Sequence, residues 1–456
     1  MSYSQNKLGE MPIGRLMISM SVPMMISMFV QALYNIIDSV FVAKLCEEAL
    51  TAVALSFPVQ NAMTAFGVGT GVGISAMISR ALGAGDSSRA CKAANVQIFL
   101  DLFFSIMFAF LSLLFARNFF AWQTDVASII GYGTQYLRIV CICSAGNFFA
   151  QGFEKLLIAT GNAASAMISQ TVGAVLNIIL DPILIFGLGP IPALGIRGAA
   201  VATVLGQLAS AVCAFCLCLK YAAPLRFDLR QMLPTLRLLK DVYSIGLAAM
   251  ITLGLDSIMG YGMNWIFLSF STTAATVFGI WLRLQNFAFM PVFGMNSGNL
   301  AIYSYNRGAG RIDRVFATMR LAITVGFCIT ASVTVLYECI PIPLLRLFNA
   351  SDYMMGIGVT ALRTCAISLS FGAISIMISA ACQLLGHPDF MLVINFGRQA
   401  VFQICAAWLL SHFGRLELVW FAPLIAELLA ITLAVLCCRT VIRELKQEAN
   451  KSVLEQ

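Results

Sequence analysis

Subtracting 225 from positions in the second half of the chain repeatedly returns the same residue type in the first half. Gln285 and Asn286 fall on Gln60 and Asn61, Gly294 on Gly69, and Gly298 on Gly73. Gly308, Ala309 and Gly310 fall on Gly83, Ala84 and Gly85, and Gly386 falls on Gly161. The chain therefore reads as a duplicated unit. Both copies are intensely apolar, and the first places two acids, Asp38 and Asp181, inside stretches long enough to cross a bilayer. A carboxylate inside a membrane is expensive to keep, so such acids mark ion or substrate pathways by default.

Composition excludes most soluble classes. The 456 residues are 60% hydrophobic and only 11% charged, where soluble domains carry roughly 25% charged residues. The net charge of +7 is not a nucleic-acid signal, because the basic residues lie singly between apolar runs. The 14 cysteines fall largely within apolar segments, where a thiol acts as a small hydrophobe, and their spacing is not that of a zinc site. His387 and His412 form no metal cluster, so the sequence implies no bound metal beyond a transient sodium ion and no cofactor. Neither a Ser-His-Asp arrangement nor a cofactor fingerprint supports an enzyme. The first apolar run is too long for a signal-peptide core, and is expected to remain as the first span.

Apolar stretches lie near 16–43, 50–79, 93–116, 126–153, 163–187, 196–219, 241–268, 274–304, 318–343, 354–384, 390–412 and 418–438. Each supplies the roughly 17–25 residues, or somewhat more, that a tilted transmembrane helix requires. The predicted fold is an all-α polytopic membrane protein with twelve transmembrane helices in two six-helix lobes related by pseudo-two-fold symmetry. Pro23, Pro58, Pro182, Pro291, Pro341 and Pro423 fall in or near spans and read as kinks rather than strand signals. Basic connections alternate with poor ones, which by the positive-inside rule puts both termini in the cytoplasm. An even number of spans per half makes the repeats parallel, with substrate expected in a cavity between lobes. The expected domains are an N-terminal lobe at 1–220, a basic, proline-containing cytoplasmic linker at 221–240, and a C-terminal lobe with its tail at 241–456.

Glycines punctuate the second span. Gly67 with Gly71, and Gly69 with Gly73, form two small-xxx-small pairs along which helices can approach closely. Gly83 and Gly85 then turn the chain, and Gly308 and Gly310 repeat the turn in the second half. Neither glycine stretch carries the lysine and following Ser or Thr of a phosphate-binding loop, so the chain is not by itself an ATP-driven pump.

Several motifs together resemble the multidrug and toxin extrusion (MATE) family of transporters. They are Pro23 with Asn35, Ile36, Ile37, Asp38, Ser39, Val40 and Phe41; Ser79 and Arg80 with Gly83 and Gly85; Gly161 and Asn162; Asn177 with Asp181 and Pro182; Gly195, Ile196, Arg197 and Gly198; and Asn306, Arg307, Gly308 and Gly310. Within the family the chain is most similar to the bacterial MepA-like group. The resemblance implies two six-helix lobes in the bacterial inner membrane, expelling varied organic cations and lipophilic drugs in exchange for protons or sodium ions. It assigns cation coupling to Asp38 and Asp181, with Asn177 as a polar neighbour; Asn177 and Asp181 are also i,i+4 partners on one helix face.

Asn147 and Thr203 are further candidates for the coupling site. Asp256, Met28, Gln151 and Trp281 are candidates for a substrate cavity. Asp256 departs from the glutamate that some relatives carry in the seventh helix, and either lines the cavity or pairs with Arg283 or Arg363. Arg398 and Glu427 read as a possible interhelical pair or as snorkelling groups, and Glu154 and Lys155 as interfacial groups. Phe148, Phe149, Phe287 and Phe289 could offer ring faces to an organic cation. Expected partners are small-molecule drugs and membrane lipids, with no nucleic acid and no obligate protein partner, the protein acting as a monomer. The alternative reading is a flippase for lipids or lipid-linked oligosaccharides, which would need a strongly cationic cavity.

Overall fold

The computed structural model describes residues 3–454 apart from 190–191, 229, 231 and 349. A short helix α1 (Tyr3–Glu10) precedes the first span. The spans of the first half are α2 (Ile13–Ala43), α3 (Glu47–Gly83), α4 (Ser87–Ala121), the broken pair α5 (Ala127–Ile142) and α6 (Ala145–Ala159), α7 (Ala163–Phe186) and α8 (Ile196–Tyr221). Those of the second half are α9 (Leu236–Leu268), α10 (Thr272–Gly308), α11 (Ile312–Cys339) and, after the short α12 (Pro341–Arg346), α13 (Asp352–Leu384). The eleventh is α14 (Pro388–Phe396), a π-helical segment (Gly397–Phe402) and α15 (Gln403–Ser411) in succession. A single turn, α16 (Leu416–Val419), leads into α17 (Ala422–Leu454).

The spans are helical because their backbone groups have no water to bond in a membrane, and their side-chain pattern is the reverse of a soluble helix. On α4 the buried positions include Gln97, Asp101, Ser105 and Ser112, whereas Leu102, Phe103, Ile106 and Phe110 face outward. Polar and small residues thus hold the helices together and apolar ones meet the lipid. Among the described residues, ten helical segments are long and apolar enough to cross a membrane by themselves. The fourth span is not among them because it breaks at Cys143 and Ser144, with the Gly146 N–H bonded to the Cys143 carbonyl at 3.3 Å. The eighth, α10, is diluted by polar residues such as Asn286, Asn296, Asn299 and Asn306.

Pro23, Pro58, Pro182 and Pro291 lie inside continuous helices, while Pro341 starts α12. The repeat is visible in backbone conformation. Gly85 and Gly310 both adopt positive φ, at 80° and 69°, and so do Gly161 and Gly386, at 87° and 95°. Each pair is related by the same shift as the sequence repeat, and only glycine adopts this region without strain. After Gly85, the Asp86 carboxylate accepts from the Arg89 N–H at 2.9 Å and caps α4.

The packing divides into units Met1–Leu247 and Ala248–Gln456, so the border falls inside α9. In the first unit the segment between α8 and α9 is strapped to α4. Asn95 donates to the Arg226 carbonyl at 2.9 Å and accepts from the Asp228 N–H at 2.8 Å, and Arg89 pairs with Asp241 at 3.0 Å. The first turns of α9 then run along α3. The N-terminal stretch, polar in sequence, contributes Leu8, fully buried against Gly161, and Lys7, which donates to the Gly161 carbonyl at 3.2 Å.

The two glycine pairs of α3 serve two different neighbours. Gly67 and Gly71 face α6, where an added Cβ would lie 2.7 Å from Gln151 Oε1 and 2.7 Å from Lys155 Cγ respectively. Gly69 and Gly73 face α9, where the Gly69 carbonyl abuts Gly246 and the Val242 carbonyl abuts Gly73. Residues 67 and 71 meet 151 and 155, and residues 69 and 73 meet 246 and 242. Both contacts repeat once per helical turn.

Candidate functional site

Helices α7 and α8 make the closest approach around the acids. A Cβ on Gly173 would lie 2.7 Å from the Gly206 carbonyl, and one on Gly206 would lie 2.8 Å from the Gly173 carbonyl. This contact brings Asn177, on the next turn of α7, onto α8. The hydrogen-bond network orients its amide with the nitrogen 3.1 Å from Asp181 Oδ2 and the oxygen 3.2 Å from the Thr203 N–H. Asp181 is fully enclosed and Asn177 nearly so.

From α2, Asp38 reaches into the same place. Its carboxyl stands close beside that of Asp181, is 9% exposed, and leaves Oδ1 with no partner among the described residues. Two carboxyls in such contact need a proton between their oxygens or a cation shared by them. Tyr136 of α5 lies near Thr203 and the two acids, and the Thr203 hydroxyl donates to the Ala199 carbonyl at 3.0 Å. Tyr34, one turn before Asp38, stands within electrostatic range of both acids. The arrangement is an enclosed, oxygen-rich cluster suited to a proton or a small hard cation.

The structure thus brings Asp38, Asp181, Asn177 and Thr203 together. Asn147 is directed elsewhere, accepting from Gln151 at 2.9 Å on α6. Sequence reasoning alone misses Tyr34 and Tyr136. The i,i+4 spacing of Tyr34 and Asp38 could have found the first, and no spacing signals the second. Asp101 is missed as well, an acid within the third apolar stretch and 1% exposed.

The second unit holds no copy of the pair. The shift of the internal repeat carries Asp38 to Met263 and Asp181 to Ala406. A polar cluster lies instead around the π-helical segment. Arg398 and Glu427 form a buried ion pair at 3.0 Å, and Glu427 accepts a second bond from Ser375 at 2.8 Å. Asp256, exposed on α9, accepts from the buried Gln399. It does not pair with Arg363, which sits 3.8 Å from Glu338. Of the other cavity candidates, Met28 is half-buried and Trp281 is enclosed in the core of its unit.

Glu154 and Lys155 are half-buried near the end of α6: Glu154 accepts from Ser210 of α8 at 3.4 Å, and Lys155 covers Gly71. Phe148 and Phe289 are core residues, Phe149 stacks on Phe153, and Phe287 is exposed.

A family model described as MatE matches the chain twice, over residues 23–183 and 248–409. The starts of the two matches, 23 and 248, are related by the shift of the internal repeat. The chain is 24% identical to the multidrug export protein MepA of Staphylococcus haemolyticus, over 93% of each chain. It is 27% identical to an FAD transporter of Shewanella oneidensis, over 92% of each. Among solved structures it resembles an outward-facing multidrug resistance MATE family transporter of the MOP superfamily, with a TM-score of 0.91 and 27% identity over 98% of this chain and 99% of that one. A transporter of that superfamily from Pyrococcus furiosus, described as having a binding pocket of reverse polarity, gives a TM-score of 0.89 at 27% identity, over 98% of this chain and 99% of that one.

Proposed function

The chain belongs to the MatE family of multidrug efflux transporters, and from that premise we propose that it works as a secondary antiporter, exporting organic cations or lipophilic drugs in exchange for protons or sodium ions bound at Asp38 and Asp181. The observation that carries this reading is the enclosed carboxyl pair with Asn177 as its amide partner. Binding of a cation there neutralises charge that the bundle cannot solvate, so occupied and empty states favour different packings of α2 against α7 and α8. A ligand that binds two conformers unequally shifts their populations, and this is all that coupling requires. Asp256, an acid exposed on α9, is the residue best suited to attract cationic cargo. On this reading the protein works in the bacterial cytoplasmic membrane with both termini inside, as a monomer made of a lobe at 1–220, a linker at 221–240 and a lobe at 241–456.

Transport into proteoliposomes under separately imposed proton and sodium gradients tests the proposal. Either Asp38→Asn or Asp181→Asn should abolish uphill accumulation of an organic cation while leaving the protein folded, because Asn retains volume and loses the exchangeable charge. Normal uphill transport by both variants would remove the coupling role. The relative described as an FAD transporter makes the flavin dinucleotide the comparison cargo. Gradient-driven movement of that anion, with none of the organic cation, would replace the cargo assignment and leave the coupling site standing.

A further inference from the structure

Asp101 is the most enclosed acid that the coupling site does not use. Its Oδ1 accepts from Gln97 Nε2 at 2.7 Å, one turn back on α4. Its Oδ2 has no partner among the described residues and presses against the bare Cα of Gly152 on α6, where any Cβ would collide with it. Gln97 is itself 1% exposed, and its Oε1 is likewise without a partner among the described residues. Tyr243, in the first turns of α9, stands within electrostatic range of Asp101 and exchanges a hydrogen bond of 3.3 Å with Thr70 of α3. Helices α4 and α6 therefore meet at a carboxyl with one donor and two open oxygens, with Tyr243 of α9 in electrostatic range of it.

Among the described residues no basic group neutralises it. On α6, Lys155 covers Gly71 of α3, and Glu154 turns to Ser210 of α8. Arg138 of the adjoining α5 is exposed and donates to the Leu113 carbonyl. Tyr243 is the titratable side chain facing Asp101 from α9.

Depth separates this place from the Asp38 and Asp181 pair. Both of those acids lie in the last two turns of their helices, and α2 and α7 run in the same direction if spans alternate. Asp101 lies in the first half of α4, whose start sits at the opposite face, with more than half of that helix still to run. Between the two depths the helices are sealed by rings. Phe104 of α4 lies 5.9 Å from Phe148 of α6 and 5.2 Å from Phe66 of α3, each about one turn from Asp101, Gly152 and Thr70 respectively.

We infer that Asp101, with Gln97, is a second monovalent-cation site of the first unit, holding a proton or a sodium ion apart from the Asp38 and Asp181 pair. A carboxylate enclosed with a single hydrogen bond is strongly unfavourable unless a bound cation cancels its charge. Gly152 leaves the space, the unpartnered oxygens of Asp101 and Gln97 supply ligands, and Tyr243 links occupancy to the seating of α9 on α3. This deepens the ion-exchange reading and rests on it only for its role in transport.

The test removes the coupling pair from view. Full-length Asp38→Asn/Asp181→Asn protein is compared with the same protein carrying Asp101→Asn, which keeps the side-chain shape. Infrared difference spectra between acidic and alkaline buffer read protonated carboxyls, and radioactive sodium binding to the purified protein reads the metal ion. A protonated carboxyl band lost on Asp101→Asn identifies a proton. Loss of one bound sodium per chain identifies sodium instead. If Asp101→Asn changes neither signal in folded protein, Asp101 is a hydrated structural carboxylate and the inference is overturned. Because Asp38 and Asp181 are absent from both samples, the result is independent of whether they couple transport.

Discussion

The backbone carbonyl of Val242, in the first turns of α9, fills the space that a side chain on Gly73 of α3 would need. One turn away the relation is inverted, with the carbonyl of Gly69 filling the space beside Gly246. The two backbones are in contact over a full turn, with Thr70 and Tyr243 hydrogen-bonded between the two contacts. Gly71 faces another way and meets only the aliphatic stem of Lys155.

A difference between these glycines follows. Gly73→Ala must push two backbones apart, and overpacking of this kind costs about 1–3 kcal/mol. Gly71→Ala displaces a flexible lysine stem, and alanine recovers up to about 1 kcal/mol of helix propensity. Thermal unfolding in detergent should therefore show a clear drop for Gly73→Ala and little change for Gly71→Ala. Equal or reversed losses would contradict the assignment of the two stripes to different partners.

Much of this is legible in the sequence because membrane helices write their constraints in residue type. Length and apolarity place the spans, and the repeat predicts the paired positive-φ glycines. The i,i+4 spacing of Asn177 and Asp181 predicts their contact. What escapes is information held between helices. Nothing in the spacing of Cys143 and Ser144 announces a broken fourth span, and a π-helical segment at 397–402 has the same apolar pattern as an α-helix. Asn147 and Thr203 are both polar residues within apolar spans, yet Thr203 is joined through its N–H to Asn177, because α8 meets α7 through Gly206, while Asn147 bonds Gln151 on its own helix.

The Arg398 and Glu427 pair supplies a second prediction. Removing one partner strands a buried charge, and such changes cost about 3–5 kcal/mol, whereas replacing both with apolar residues of similar volume is often neutral. Arg398→Met and Glu427→Leu should each destabilise the purified protein strongly, and the double variant should recover much of the loss. Simple additivity of the two losses would show that the groups do not act as a pair.

Gly386 and Gly310 test strain against crowding. Both have positive φ, but Gly310 has open space beside it, whereas the Arg307 guanidinium closes over Gly386. Alanine at 310 meets backbone strain alone, about 1–2 kcal/mol. Alanine at 386 must also move Arg307, so its melting temperature should fall further. Combining Gly386→Ala with Arg307→Ala separates the terms: the crowding part is then relieved and the strain remains.

Asn177 ties Asp181 to α8, and its replacement distinguishes a structural role from the proposed coupling role. Asn177→Leu keeps much of the volume, but it withdraws the donor from Asp181 and the acceptor from the Thr203 N–H. An unsatisfied buried polar group costs about 1–3 kcal/mol, so some loss of stability is expected in any case. If the amide also shapes the cation site, the variant should need a steeper ion gradient to sustain the same uphill accumulation of organic cation, with downhill movement of that cation intact. Asn177→Asp provides the check, since it adds a third carboxyl beside Asp38 and Asp181 and should alter the ion dependence rather than remove it. An Asn177→Leu protein whose ion dependence matches the unmodified protein, with only its melting temperature lowered, would confine Asn177 to packing.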